Sequence, residues 1–300
     1  MNQSIRIFDK EQTAQAIPFP ELIESLKLAI AQYATNEINC PERIGVPLHG
    51  DGISLSMPAS AQDLSIHKLV NVQPANKAAG LPTIQGIVTV CDAMTGCPIL
   101  LLDGPEVTGR RTAGISLLAI EKFHAGPARR VLLIGTGSQS SYHVQGLHAI
   151  YPDCEILIRG TNKASEELFC QQHKDIHSRI SPCPAQIPEN VDVVITLTTS
   201  KEVIYNEPPT RTRLVIGVGA FKPVMAELGS ITLHGSDIFV DDLAGAKHEA
   251  GDLLRAKIDW SRVKSLSVSS DKTKLQNPIV VKSVGSAAWD LAAARVAYTK

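Results

Sequence analysis

The feature that constrains this chain most is a short apolar run that ends in two closely spaced glycines. Residues 131–134 read Val-Leu-Leu-Ile, as in a buried parallel strand, and Gly135-Thr-Gly137-Ser-Gln-Ser140 follows directly. This order resembles G-x-G-x-x-G, in which the glycines permit a tight turn and close approach of a pyrophosphate, and the third position must be small. Because a strand precedes the loop, and a helix and another strand follow it, we expect dinucleotide binding rather than a bare strand–turn–helix.

Strands and helices alternate after residues 125–128, which read Ala-Gly-Pro-Ala. Short apolar runs predict strands at 131–134, 155–158, 191–197, 214–218 and 237–240. Helices are predicted from about residue 139 and at 164–173. Regular alternation of this kind predicts a doubly wound parallel sheet.

The residues before this break follow another pattern. Apolar positions recur near helical spacing over 19–33. Apolar runs bounded by Gly and Pro predict strands at 52–57, 67–72, 85–91 and 98–103, and further helices are predicted at 108–123 and 286–298. The fold class is therefore α/β, with a Rossmann-type doubly wound parallel sheet plus a second domain of α+β type.

Composition and charge narrow the range of partners. The formal net charge is −1, from 29 basic and 30 acidic residues, which argues against a nucleic-acid partner. The chain has no run of ~18 apolar residues and no apolar stretch of signal-peptide length at its start, so we expect a cytoplasmic enzyme without a membrane partner. The cysteines form no C-x-x-C pair, and we expect no metal and free thiols at Cys40, Cys91, Cys97, Cys154, Cys170 and Cys183.

The end of the second Rossmann strand bears on the choice of cofactor. An NAD-binding protein usually carries Asp or Glu there for the ribose hydroxyls, whereas this chain reads Ile158-Arg159-Gly160-Thr161-Asn162-Lys163. The planar guanidinium of Arg159 suits a phosphate, and Lys163 adds positive charge. We therefore expect NADPH to be preferred and NADH to be possible. The alternative is that Arg159 is a solvated surface residue.

Three basic residues stand out in the N-terminal half, Arg43, Lys68 and Arg111. Lys68 lies in an apolar strand, where a lysine can also extend its amine to a wet edge. Arg111 lies near the start of a helix, where positive charge is unfavourable and often has an anionic partner elsewhere. Composition and spacing alone favour a structural role for each of them.

A series of motifs nevertheless occurs in a fixed order along the chain. It runs Lys68-Leu-Val, Pro74-Ala-Asn, Gly80-Leu-Pro-Thr-Ile-Gln-Gly86, Asp103-Gly, Thr108-Gly-Arg-Arg111-Thr-Ala, Gly135-Thr-Gly-Ser-Gln139, Val218-Gly-Ala, Gly251-Asp and Val281-Lys-Ser-Val-Gly285. Together these motifs resemble the ornithine cyclodeaminase/mu-crystallin family over nearly the whole chain. The resemblance implies a homodimer. It also implies a substrate-binding and dimerisation domain at 1–118 and 286–300, and a Rossmann NAD(P)-binding domain at 119–285.

The resemblance also implies which residues form the site. The residues that match the family's carboxylate-binding substrate site, and that we predict to be catalytic, are Arg43, Lys68 and Arg111. Those that match its cofactor-binding residues are Gly137, Ser138, Gln139, Arg159 and Thr161. We add Met57 and Phe221 to the expected substrate site. To the expected cofactor site we add Thr112, Gly135, Lys163, Thr198, Val218 and Gly285.

One departure from the family separates its activities. Ornithine cyclodeaminases carry an aspartate after the fourth Rossmann strand, in a segment resembling Gly-Gly-Asp-x-Pro-Gly-Lys-Thr-Glu-Leu, with an assigned role in activating the attacking amine or water. Anchored on Pro223 and Glu227-Leu228, that position falls on Phe221, whose ring cannot accept a proton. Because hydride transfer needs no base there, we expect NADPH-dependent reduction of Δ1-pyrroline-2-carboxylate to L-proline, of Δ1-piperideine-2-carboxylate to L-pipecolate, or of both.

In that reaction Arg43 and Arg111 are expected to clamp the substrate carboxylate, and Lys68 to supply or orient the proton that activates the imine. If Lys68 is the acid, burial and the neighbouring arginines must lower its pKa. Two alternatives stay open. One is an ornithine cyclodeaminase or alanine dehydrogenase of the same fold, and the other is an NADPH-binding protein without significant turnover.

Overall fold

The computed structural model describes residues 4–268 and 276–300. These residues form two compact units. One unit runs to Arg111 and resumes with Ser286–Lys300, and the other comprises Thr112–Gly285. The boundary between Arg111 and Thr112 lies inside one continuous helix, Gly104–Phe123, and not in a loop. The resemblance implied a boundary at residue 118, in the same helix.

A six-stranded sheet forms the centre of the first unit over its described residues. Its strands are β1 (Arg6–Ile7), β2 (Ile44–Pro47), β3 (Ile53–Ser60), β4 (Leu64–Val72), β5 (Ile84–Asp92) and β6 (Pro98–Asp103). They lie in the order β1-β6-β5-β4-β3-β2, with β1 parallel to β6 and the other neighbours antiparallel. The four strands predicted between 52 and 103 are confirmed, and β1 and β2 are added at the two edges.

The helices of both units begin where local signals place them. They are α1 (Lys10–Ala16), α2 (Phe19–Ala34), α3 (Gly104–Phe123), α4 (Ser138–Ile150), α5 (Lys163–His173), α6 (Ser230–His234), α7 (Leu243–Glu249), α8 (Gly251–Arg255) and α9 (Ala287–Tyr298). A capping box between Asp9 and Gln12 starts α1, and the side chain of Asn162 accepts the N–H of Ser165 at 2.9 Å to start α5. The five helices predicted from the sequence are confirmed.

The Ala-rich helix α9 is almost wholly buried within the first unit. It packs against α2, β3 and β4, and residues 287–294 are all buried. Its alanines permit this close approach, and the hydroxyl of Ser286 caps its first turn by accepting the N–H of Ala288. Asp290, also in that first turn, is fully buried, so its charge needs a partner inside the unit.

Eight parallel strands form the sheet of the second unit in the described part of the chain. They are β7 (Arg130–Ile134), β8 (Glu155–Arg159), β9 (Ile180–Pro182), β10 (Val193–Thr196), β11 (Leu214–Gly217), β12 (Asp237–Val240), β13 (Val263–Ser265) and β14 (Ile279–Lys282). The order is β13-β12-β14-β11-β10-β7-β8-β9. The chain thus leaves β7 on one side through β8 and β9 and continues on the other side with β10 and β11, which confirms the predicted doubly wound fold. The sequence did not predict β9 and β13 at the two edges, or β14, which lies between β11 and β12.

The sequence predicted free thiols and no membrane-spanning helix. The six cysteines of the protein are free thiols, as their spacing predicted. Over residues 4–268 and 276–300, no helix has both the length and the apolar character needed to cross a membrane.

Candidate functional site

A buried carboxylate joins two of the three basic residues predicted for the substrate site. Lys68 faces the buried side of β4, between Ile66 and Val70 in the alternation. Its Nζ lies 2.6 Å from Oδ2 of Asp290 on α9, and the two side chains are 1% and 0% exposed. The Nε of Arg111, on α3, donates to Oδ1 of the same carboxylate at 3.1 Å. We call Lys68, Arg111 and Asp290 the substrate-side cluster.

The ammonium group of Lys68 is subject to opposing influences. Burial lowers its pKa, Asp290 raises it, and Arg111 and Arg43 lower it, so that the pKa falls from its ordinary value to about 8. The contact with Asp290 is a buried ion pair. Nζ also donates to Oγ1 of Thr108 at 3.5 Å. A lysine with such a pKa can both hold and release a proton near neutral pH.

Two further residues predicted for the substrate site lie in the same unit. Met57 on β3 is paired in register with Lys68 on β4 and is buried, and paired residues share one face of a sheet. Arg43 immediately precedes β2 and is near enough to Lys68 to lower its pKa. The first unit therefore brings together Arg43, Met57, Lys68 and Arg111, and it adds Asp290.

Asp290 is the residue of this site that the sequence did not reveal. An aspartate in the first turn of an Ala-rich helix is favoured by the helix dipole, so the pattern offered a sufficient structural explanation. The available signal was indirect, because a lysine in an apolar strand and an arginine at a helix start both require an anion. Asp290 is the one acid in residues 286–298 of the sequence.

The loop between β7 and α4 adopts the geometry that its glycines predicted. Gly135 has φ +133°, and a Cβ there would lie 2.8 Å from the carbonyl oxygen of Leu197. A Cβ at Gly137 would meet no atom within 4 Å, so this part of the loop faces open space. Ser140 is buried, and its hydroxyl donates to the carbonyl oxygen of Gly135 at 2.9 Å. The serine at the third position therefore stabilises the turn through this hydrogen bond.

The N-terminus of α4 is suited to a phosphate group. Gly137 is its N-cap and the helix opens Ser-Gln-Ser-Ser, which includes no acid, so the first N–H groups and the helix dipole can face an anion. Ser138 and Gln139 are the first two residues of the helix. The Oε1 atom of Gln139 is buried and has no hydrogen-bond partner among the described residues. An acceptor in this position fits a donor such as a ribose hydroxyl, so the residues present fit a nicotinamide dinucleotide.

Arg159, at the end of β8, is held by the loop that follows β9. Its Nη2 donates to the carbonyl oxygens of Pro184 and Ala185 at 2.7 and 3.0 Å. The guanidinium is half-buried, so it is neither a freely solvated side chain nor fully occupied by these contacts. Its predicted contact with a cofactor phosphate stays a prediction.

A carboxylate reaches the end of β8 from the next helix, which the local sequence pattern did not predict. Oε1 of Glu166, in the first turn of α5, accepts the N–H of Gly160 at 2.9 Å. Thr161 is exposed beside it. Lys163 is largely exposed and lies 3.7 Å from Glu167 one turn along α5. The region between β8 and α5 therefore carries both positive and negative side chains.

The remaining residues predicted for the site lie in different parts of the second unit, four for the cofactor and Phe221 for the substrate. Thr198, Val218 and Gly285 follow the carboxyl ends of β10, β11 and β14, the edge of the sheet that also carries the glycine loop. Thr112 is buried within α3, and Phe221 is half-buried beyond β11. The contacts predicted for all five residues stay predictions.

Comparison with known proteins points in the same direction as the motifs. A sequence model of the ornithine cyclodeaminase/mu-crystallin family matches residues 7–300. The chain is 48% identical over 295 residues to the Delta(1)-pyrroline-2-carboxylate reductase 2 of Burkholderia ambifaria, covering 98% of this chain and 95% of that protein. Identity and coverage are the same for the Delta(1)-pyrroline-2-carboxylate/Delta(1)-piperideine-2-carboxylate reductase of Azospirillum brasilense.

Solved structures share the fold. The Delta(1)-pyrroline-2-carboxylate reductase of Thermococcus litoralis, in complex with NADH and L-proline, superposes with a TM-score of 0.88 at 23% identity. That superposition covers 98% of this chain and 97% of the other. At this identity the likeness establishes the fold alone.

Proposed function

Since the chain belongs to the ornithine cyclodeaminase/mu-crystallin family, we propose that it reduces cyclic ketimines with NAD(P)H. The proposed reactions convert Δ1-pyrroline-2-carboxylate to L-proline and Δ1-piperideine-2-carboxylate to L-pipecolate. The observation that carries this proposal is the substrate-side cluster, in which two buried cations share one carboxylate. Support also comes from the 48% identity to reductases named for these imines.

The charges around the cluster suit a small anionic substrate. Lys68 and Arg111 are cations that share the single carboxylate of Asp290, and Arg43 lies near enough to Lys68 to influence its pKa. Arg111 uses its Nε for Asp290, and its two terminal nitrogens form the flat edge that pairs well with a carboxylate. We propose that Arg111 and Arg43 clamp the substrate carboxylate. Such a clamp contributes to catalysis by holding the imine carbon in position for attack.

Lys68 is the proposed proton donor. A cyclic imine accepts hydride readily once its nitrogen is protonated, and reduction then forms a C–H bond while the nitrogen keeps its proton. The nicotinamide, when bound, supplies the hydride. With a pKa of about 8, Lys68 is mostly protonated at neutral pH and can still release its proton to the imine nitrogen. Asp290 holds the amine at 2.6 Å and so fixes where that proton is presented.

We propose that NADPH is the preferred cofactor and that NADH is accepted more weakly. Arg159 supports this preference, because its anchored guanidinium lies at the strand end where a 2′-phosphate is recognised in this fold. Two observations favour NADH, namely the carboxylate of Glu166 at Gly160 and the NADH bound by the T. litoralis reductase. Separate titrations with the two nucleotides distinguish these possibilities.

We also propose that the protein is a homodimer that pairs through the outer face of the first unit's sheet. Ile44, Ser56, Leu69 and Ile87 lie in one row across β2, β3, β4 and β5. The three apolar members, Ile44, Leu69 and Ile87, are 63%, 37% and 46% exposed. Several exposed apolar side chains close together on one face of a sheet are typical of an interface. Sedimentation equilibrium tests the proposal, and a monomer at working concentrations would contradict it.

The decisive experiment on activity follows NADPH oxidation by the purified protein with each imine, with NADH and L-ornithine in parallel. Rapid NADPH consumption with an imine, and no ammonia from ornithine, would support the proposed function. No consumption with either imine, together with ammonia and proline from ornithine, would show that Phe221 does not mark the loss of cyclodeamination. Cofactor binding without turnover would identify a binding protein instead.

A further inference from the structure

Three buried charged residues that have no role in the proposed chemistry meet inside the second unit. Glu227 comes from the segment after β11, Asp252 from α8 and Lys282 from the end of β14. They are 0%, 1% and 0% exposed. We call these three residues the edge cluster, because Glu227 bonds to the loops at the carboxyl ends of β10 and β11.

The carboxylate of Glu227 accepts hydrogen bonds from two separate loops. Oε1 accepts the backbone N–H and the hydroxyl of Thr198, after β10, at 2.6 and 2.9 Å. Oε2 accepts the N–H groups of Gly219 and Ala220, after β11, at 2.6 and 3.1 Å, and the hydroxyl of Thr196 at 2.9 Å. Since donors surround both oxygens, the ionised carboxylate is the form that satisfies them.

A second carboxylate and a lysine hold Glu227 in place. Oδ1 of Asp252 accepts the backbone N–H groups of Glu227 and Leu228 at 2.5 and 2.9 Å. Its Oδ2 lies 2.8 Å from the Nζ of Lys282. Burial raises the pKa of Glu227 above its ordinary value, and the positive charge of Lys282 offsets part of that rise. The lysine therefore favours the ionised form of Glu227.

The two loops touch each other where Glu227 joins them. A Cβ on Gly219 would lie 2.0 Å from the carbonyl oxygen of Thr198 and 2.5 Å from Oε1 of Glu227. Only glycine fits this position, and the backbone of one loop lies directly against the other. Neither loop can move without disturbing its neighbour or the carboxylate that binds both.

These loops lie in the half of the sheet opposite β8 and β9. In a doubly wound dinucleotide fold, the glycine loop and the strand after it bind the pyrophosphate and the adenosine ribose. The strands on the other side of the first strand, here β10 and β11, form the second mononucleotide half, which takes the nicotinamide side. Thr198 and Val218, both predicted cofactor residues, stand at the ends of these two strands.

We propose that Glu227 is a positioning residue for the nicotinamide half of the cofactor. By bonding to both loops it fixes Thr198 and the backbone at Gly219 in one arrangement, and Asp252 and Lys282 fix Glu227 in turn. The proposal rests on the proposed function only in that the site takes a nicotinamide dinucleotide, and it does not depend on the imine. It gives one task to the three residues of the edge cluster.

The test compares binding of NADPH and NADH with binding of ADP, which carries the adenosine half only. Glu227→Gln keeps an acceptor oxygen for one loop and places an amide N–H2 group against the backbone donors of the other, so the two loops no longer share an acceptor. We expect the Kd values of NADPH and NADH to rise roughly tenfold and that of ADP to stay within about twofold. Titration calorimetry measures all three values on the full chain.

Two further variants separate positioning from stability. Ile238→Ala removes buried apolar atoms from β12, so it should lower the melting temperature without raising any of the three Kd values. Thr196→Val keeps the shape of the side chain and removes a single donor to Glu227. It should weaken NADPH and NADH binding by a smaller factor than Glu227→Gln, with ADP binding unchanged.

A folded Glu227→Gln variant that binds NADPH normally, or that loses NADPH and ADP affinity equally, would overturn the inference. If that variant does not fold, normal NADPH binding by Thr196→Val would overturn it. Failure of the unaltered protein to bind NADPH and NADH would overturn both this inference and the proposed function. Cofactor binding without reduction of either imine would overturn the proposed function alone.

Discussion

The carboxylate of Asp290 lies between Lys68 and Arg111, 2.6 Å from the amine of the first and 3.1 Å from the guanidinium of the second. Neutralising Asp290 therefore leaves two buried cations side by side. Replacing Lys68 instead leaves an intact pair between Arg111 and Asp290. Substitutions at these positions should consequently have different effects, and the first two predictions use that difference.

Asp290→Asn should shift the pH profile of catalysis to lower pH. Asp290 raises the pKa of Lys68, so a neutral side chain of the same shape lets burial and the arginines lower that pKa further below about 8. Because protonated Lys68 is the proposed active form, activity is lost as pH rises through its pKa. The basic limb of kcat/KM should therefore move down by roughly one pH unit or more. Steady-state kinetics across neutral and alkaline pH measures the shift, and a limb that stays in place would exclude Lys68 as the titrating group.

Lys68→Met should slow reduction strongly and leave cofactor binding intact. Methionine fills most of the buried position, and Arg111 still neutralises Asp290. Loss of the proton donor should lower kcat by roughly a hundredfold to ten-thousandfold. The Kd for NADPH, measured by titration, should stay at the value of the unaltered protein. Normal turnover together with normal substrate affinity would remove Lys68 from the mechanism.

Arg159→Ala should weaken NADPH binding by roughly tenfold, and NADH binding much less, because only NADPH has a 2′-phosphate to pair with the guanidinium. Arg179→Ala is the matched control, since it removes another half-exposed guanidinium just before β9, at the amino ends of the strands. Titration of both nucleotides measures the effect. Equal weakening of NADPH and NADH would show that Arg159 acts only by holding the carbonyl groups of Pro184 and Ala185.

Lys282→Met should destabilise the protein, and Asp252→Asn in the same chain should recover part of the loss. The single substitution leaves Asp252 buried without its cation, which costs roughly 3–5 kcal/mol of the free energy of unfolding. Asparagine keeps an acceptor for the N–H groups of Glu227 and Leu228 and carries no charge. Urea unfolding of the two single variants and the double variant measures the coupling, and strictly additive losses would contradict it.

Much of the fold could be predicted because its determinants are local. The strand and glycine loop around Gly135 are encoded within ten residues, and the strands between 52 and 103 are bounded by their own turn signals. β14 was not predicted, although Ile279-Val280-Val281 after Pro278 is itself an apolar β-branched run. Its place in the sheet is set by pairing with β11 and β12, which come much earlier in the chain.

The site could be predicted only where one residue reveals its task by itself. A lysine in an apolar strand is visible in the sequence, and so is a missing carboxylate at the end of a strand. The residues that pair with these side chains could not be predicted. The contact of Arg111 with Asp290, for example, joins residues 179 positions apart, and no sequence pattern indicates it. The carboxylate of Glu166 was not predicted at the end of β8, because it lies on α5 and reaches back to the N–H of Gly160.

The place of Asp290 on the last helix also sets an order of events while the chain is being made. Asp290, the partner of Arg111, is synthesised 179 residues later, and translation of those residues takes roughly ten to forty seconds. During that interval the whole of Thr112–Gly285 emerges and can fold, while Lys68 and Arg111 have no counter-ion from α9. The dinucleotide-binding unit of a growing chain can therefore fold before the substrate-side cluster is complete.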